Sequence, residues 1–230
     1  MPDRPPSGPK SRRAPRAAAA ALACALAALG AQAQPRDGRH VAGDFDYYVL
    51  ALSWNASWCL AEGDARDAPQ CDAREDYGFT VHGLWPQYER GWPEYCATTA
   101  RDPSRRETAA MADVMASPGL AWGQWKKHGR CSGEDPADYF AAIRRAWASI
   151  SRPEALRRLG RDVRVAPGVV EAAFIEANPS LQPDGVTVTC RDGLLREVRI
   201  CLDRTLSPRA CAPDAQIDCK MKTVQLPSVR

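Results

Sequence analysis

Apolar positions along this chain fall into distinct patterns. Residues 44–54 (Asp-Phe-Asp-Tyr-Tyr-Val-Leu-Ala-Leu-Ser-Trp) form an aromatic and aliphatic run that predicts a core strand. Residues 78–84 predict a second strand, with His82 near its end. Between them, 60–76 is a charged segment with cysteines near its edges, read as a loop. Residues 86–104 mix proline, glycine and aromatics and predict a long irregular loop. A loop of that length carrying Trp92 and Tyr95 points to function rather than simple connection. Helical spacing then takes over. Residues 136–150 open with Pro136 and carry Tyr139, Phe140, Ile143 and Trp147 along one stripe, a core-facing helix. Residues 105–115, 120–128, 153–159 and 168–177 predict further helices, and 186–190 with 194–202, around Arg-Asp-Gly, predict a β-hairpin. The expected class is α+β, a central antiparallel sheet flanked by several helices. No internal repeat or linker divides it, so 34–230 is expected to be a single domain, with 34–43 an unstructured lead-in.

The N-terminus follows a different rule. Arg4, Lys10, Arg12, Arg13 and Arg16 precede an alanine- and leucine-rich run from 17 to 29, then Ala31-Gln32-Ala33. A basic region, a short apolar run and a small-x-small site predict a secretory signal peptide over 1–33. The run is too short and too alanine-rich for a membrane span. The whole chain has 31 basic and 28 acidic residues; the leader takes 5 basic and 1 acidic with it, leaving 26 against 27, net −1. The remaining chain therefore has no overall basic field, and nucleic-acid recognition must rest on a local site. Of nine cysteines, Cys24 lies in the leader. The other eight are Cys59, Cys71, Cys96, Cys131, Cys190, Cys201, Cys211 and Cys219. An even set in an exported chain predicts four disulfides, with 105 pairings open, and the lack of C-x-x-C argues against zinc.

Chemistry concentrates in two segments. The chain has three histidines, and two lie in Phe79-Thr80-Val81-His82-Gly83-Leu84-Trp85-Pro86 and Trp125-Lys126-Lys127-His128-Gly129-Arg130-Cys131. Two imidazoles in one cleft are the minimal equipment for moving protons near neutral pH. On a helix, Gln124, Lys127 and His128 fall on or near one face, and a cation beside a histidine suits an anionic substrate. Taken singly, His82 would read as a satisfied core histidine, Lys127 as a solvated surface lysine and Cys131 as half of a disulfide. His40 is expected to be exposed, and Trp54, Trp58, Trp122 and Trp125 to serve the core. Asn55-Ala56-Ser57 is a glycosylation sequon where the source glycosylates.

The two segments resemble the active-site segments of the ribonuclease T2 family, and the strand at 45–54 and the late cysteine cluster fit it too. The resemblance covers residues 44–220 and implies an exported, secreted or periplasmic endoribonuclease. Its action on single-stranded RNA passes through a 2′,3′-cyclic phosphate with little base specificity and needs no metal or cofactor. DNA, lacking the 2′-hydroxyl, is excluded. A monomer is expected, free of the membrane once the leader is removed. His128 is implied as base and His82 as acid, a direction the residues alone leave open. Lys127 and Gln124 complete the implied catalytic set, and Trp85, with Tyr88, Trp92 or Tyr95, is implied to stack on bases. The expected disulfides are Cys59–Cys71, Cys96–Cys131, Cys190–Cys219 and Cys201–Cys211. One departure stands out: the family's second segment usually begins His-Glu-Trp, and this chain has Gly123-Gln124-Trp125. That difference motivates the alternative of a catalytically weakened RNA-binding or signalling module.

Overall fold

The first long strand is buried on both sides. In a computed structural model describing residues 40–229, β1 (Tyr47–Trp54) lies between β2 (Phe79–Gln87) and β5 (Leu194–Leu202), antiparallel to both. Tyr48, Leu50, Leu52 and Trp54 enter the main core, while Tyr47 and Val49 join a smaller cluster with Cys201 and Cys211 on the other face. A strand covered on both faces has no polar side to display, which is why its sequence reads as a run rather than an alternation. The hairpin partner β4 (Val186–Arg191) pairs with β5. Two three-residue strands, β3 (Val163–Val165) and β6 (Val224–Leu226), complete a six-stranded sheet. Within this sheet, among the described residues, the pairings are antiparallel except one parallel contact between β5 and β6. The sequence reading missed β3 and β6, because three residues give too little alternation to stand out.

The helices cover the main-core face. After the one-turn α1 (Asn55–Trp58) come α2 (Arg105–Ala109), α3 (Ala112–Met115) and α4 (Pro118–Lys127). They are followed by α5 (Pro136–Ser149), α6 (Glu154–Arg157) and α7 (Pro167–Ala177). The single helix expected over 105–115 is two short ones. Ser104 and Glu107 cap the first reciprocally, and the break at Ala110–Met111 lets Met111, Val114 and Met115 all reach the core. Helix α4 starts cleanly at Ser117, whose hydroxyl accepts from the Leu120 amide, with Pro118 in the first turn. Pro136 and the Asp135 cap do the same for α5. The four expected disulfides are all present.

Three expectations change. The described end of the lead-in is tied down: Val41 pairs with Ala97, and the Gly43 amide donates to the Cys131 carbonyl at 3.0 Å. Asn55 is buried, donating its amide to the Gln70 carbonyl at 3.0 Å, so the sequon side chain is closed to a glycan. Of the four tryptophans expected in the core, Trp54 and Trp125 are there, while Trp58 and Trp122 are only partly buried, and Trp58 lines a cleft. The expected signal peptide, 1–33, lies outside the described residues. Among the described residues no helix is long and apolar enough to cross a membrane.

Candidate active site

Strand β2 carries His82 at an irregularity. Opposite the junction of Ala51 and Leu52, the pairing jumps from Val81 to Gly83, leaving His82 as the extra residue. A β-bulge of this kind re-aims side chains. Here it moves the core-facing set from Phe79 and Val81 to Leu84. His82 and Trp85, three apart, thereby share the opposite face, where a regular strand would separate them. Both line a cleft of about 360 Å³ with Gln124, Lys127 and His128 of the α4 segment. A second cleft, about 620 Å³, lies on the other side of His82 and takes in Trp58.

The indole of Trp85 links the two histidines. Its ring stacks on His128 at 5.4 Å between centroids and meets His82 edge-on at 5.3 Å. Its Nε1–H donates to Gln124 Oε1 at 2.7 Å, fixing strand β2 to helix α4. That contact explains Gly83: a Cβ there would collide with both Gln124 Oε1 and Trp85 Nε1. Gly129 answers the same need in the other segment, where a Cβ would strike the rings of Trp125 and Tyr139. Substituting Gly83→Ala is therefore expected to destabilise the fold by about 1–3 kcal/mol, the usual cost of overpacking. A denaturant midpoint equal to that of the parent would show that Gln124 swings aside freely.

His128 and His82 meet opposite environments. His128 is buried at the end of α4, with Nδ1 lacking any partner among the described residues. Burial first, then the charge of Lys127 and the nearness of His82, push its pKa down to about 3. His82 faces an anion. Its Nδ1 lies 2.5 Å from Glu197 Oε1, and Glu197 is only 1 % exposed. Burial would raise the Glu197 carboxyl, but the hydrogen bond and charge of His82, with Arg199, outweigh it and bring it to about 2. The two side chains meet across β1. Ser53 pairs with Thr80 on one side and Glu197 on the other, so two inter-strand steps, about 9–10 Å, separate their strands. The small Ala51 and Ser53 leave that space open on β1 for the long side chains to bridge. An ionised carboxylate on Nδ1 fixes a proton there and leaves Nε2 for the cleft.

The sequence profile of the ribonuclease T2 family matches residues 45–211. The chain belongs to the ribonuclease T2 family. Among curated relatives, Ribonuclease I of Escherichia coli (strain K12) is 30 % identical over 202 residues, covering 69 % of this chain and 75 % of that protein. Ribonuclease of Aeromonas hydrophila is 42 % identical over 98 residues, 43 % of each chain. The chain thus spans under half of that relative's length. Among solved structures, the RNase-related protein from Calystegia sepium superimposes with a TM-score of 0.64 at 22 % identity, covering 81 % of this chain and 98 % of that one. At that identity the likeness speaks for the fold.

Within this T2-family frame the expected residues separate. His82, Trp85, Trp92, Gln124, Lys127 and His128 all line one cleft. Trp92 is 51 % exposed there. Tyr88 is buried in the main core, and Tyr95 is 64 % exposed and lines neither cleft. The structural part of Tyr95 is its backbone amide, which donates to the Lys127 carbonyl at 2.8 Å, beside the Cys96–Cys131 disulfide. Lys127 itself has Glu94 at 3.4 Å. Sequence reasoning missed Glu197 and Arg199. The available signal was Glu197 and Arg199 two apart, hence on one face, in a strand whose only other charged residue is Arg196.

Proposed function

We propose that this protein is an endoribonuclease that cleaves single-stranded RNA by transphosphorylation, with little base specificity. The observation that supports this reading best is the pair of imidazoles in one cleft, one neutral by burial, the other beside a carboxylate. A buried neutral imidazole suits the base, and an imidazole held by a carboxylate on Nδ1 suits the acid. His128, neutral at working pH, accepts the proton of the ribose 2′-hydroxyl through Nε2, since Nδ1 is buried. The freed oxygen attacks the adjacent phosphorus. His82, protonated and held by Glu197, gives the Nε2 proton to the departing 5′-oxygen. One P–O bond forms, one breaks, and the products are a 2′,3′-cyclic phosphate and a 5′-hydroxyl. Lys127 sits where charge grows on the phosphoryl oxygens. Gln124, whose Oε1 is taken by Trp85, positions that ring and keeps its amide hydrogens for the phosphate. Trp92 stacks on bases without reading their edges, the basis of the low specificity. DNA offers no 2′-hydroxyl and is not a substrate. The four disulfides fit an oxidising compartment, the periplasm or the exterior, and the protein acts there as a monomer.

A second reading, RNA binding without cleavage, draws on Gly123 and Gln124, which replace the two residues expected at these positions. One experiment separates the two. Incubation of the exported form with single-stranded RNA in EDTA is expected to yield fragments ending in cyclic phosphate, since two imidazoles suffice for both proton transfers. Intact RNA that nonetheless stays bound would favour the second reading. Cleavage abolished by EDTA would exclude the mechanism.

A further inference from the structure

We propose that Arg199, on β5, is the fixed anion contact of this cleft and binds a non-bridging oxygen of the phosphodiester. The proposal deepens the ribonuclease reading and names a residue that the two histidine segments do not contain. Helix α4 offers little charge of its own here: Gly123 has no side chain, Gln124 is neutral, and Lys127 is shared with Glu94. Arg199 supplies a cation from the opposite wall. It lines the cleft with both histidines, and its side chain is 26 % exposed. Its Nε donates to Glu197 Oε2 at 2.9 Å, and one terminal nitrogen lies 2.8 Å from the same oxygen in an ion pair. Its guanidinium carbon stands 5.2 Å from the centre of the Trp85 ring.

This arrangement is a preorganised donor. Guanidinium carries five N–H groups, and the contact with a single oxygen of Glu197 occupies only part of them, so donors remain for a ligand. The two oxygens of Glu197 divide the work: Oε1 on His82, Oε2 on Arg199. With His82 protonated, the triad His82–Glu197–Arg199 carries one net positive charge beside the reacting group. Its geometry is set before substrate arrives, which is the condition under which a donor stabilises developing charge most. Arg196, 50 % exposed, lines the same cleft but approaches Glu197 only to 3.9 Å and is not held in this way. Asp214 also lines the cleft, accepting from the Gly91 amide at 2.5 Å, and opposes anion binding from the far wall.

The test uses inorganic phosphate as the binding probe and a dinucleotide as the cleavage probe, on the full chain after export. Arg199→Ala and Arg199→Gln are expected to weaken phosphate binding in calorimetry by about 10–100-fold, the range for one charge-assisted hydrogen bond. Arg199→Lys, which keeps the charge but not the fork, should fall between these variants and the parent. Arg199→Gln keeps a polar amide beside Glu197, so it reports on charge even where Arg199→Ala perturbs folding. For the dinucleotide, kcat should fall more than KM rises, because the contact tightens as charge develops. Parent-like phosphate binding by Arg199→Gln would overturn the proposal, as would an absence of phosphate binding by the parent. Phosphate binding lost in Arg199→Gln by a protein that does not cut RNA would uphold the anion site and overturn only the ribonuclease reading.

Discussion

Replacing His128 by alanine is expected to lower kcat/KM for a dinucleotide by about 10²–10⁴-fold, and His82→Ala by the same range, the contribution of one positioned proton transfer. The double variant should lose less than the product of the two, because groups acting in one step are not additive. The pH profile carries a sharper expectation. The profile of kcat/KM reports the free enzyme. With its pKa pushed to about 3, His128 remains a competent base well into acid, so the rising limb should lie far below the ordinary imidazole range near 6.5. The same depression predicts a stability effect. Between about pH 6.5 and 3 the unfolded chain binds a proton at His128 that the native state refuses, so stability falls as pH drops through that window. His128→Ala removes this dependence. A rising limb near 6.5, or either single variant retaining parental activity, would contradict the assignment.

Both histidine segments were legible in the sequence because their residues are costly to place without purpose. The reason each glycine sits there was not. Gly83 answers to Gln124, about forty residues away, and Gly129 to the Tyr139 ring on the next helix. Tyr88 lies outside the cleft because of a strand boundary. Ending the second strand at Leu84, before Pro86, treated Tyr88 as a loop residue. The strand in fact runs to Gln87, which an edge position allows, since the missing amide of Pro86 costs no ladder bond there. Continuing the alternation places Tyr88 with Leu84 on the core face and Gln87 with Trp85 on the cleft face, as their burial and lining show. Glu197 was hidden for a related reason. Its role depends on which strand lies two places away, and strand order is a property of the sheet, not of any local pattern.

Replacing Glu197 by glutamine is expected to reduce kcat/KM by about 10²-fold, at the low end of what a general acid contributes. Glutamine keeps the size of the side chain and can still accept from His82 Nδ1–H, so packing across Ala51 and Ser53 is preserved. What it removes is the charge. Because Glu197 acts through the His82 ring, the loss should largely vanish on a His82→Ala background, where there is no imidazole left to hold. A purely structural role would cost the same activity on both backgrounds. Stability follows the same carboxylate: with a folded pKa of about 2 against the ordinary 4.5, Glu197 contributes stability above about pH 4.5 that drains away as pH falls toward 2. Glutamine should flatten that part of the acid unfolding curve. A Glu197→Gln loss as large on the His82→Ala background as on the parent would reduce Glu197 to a buried partner of Arg199 and leave the orientation of His82 to the bulge alone.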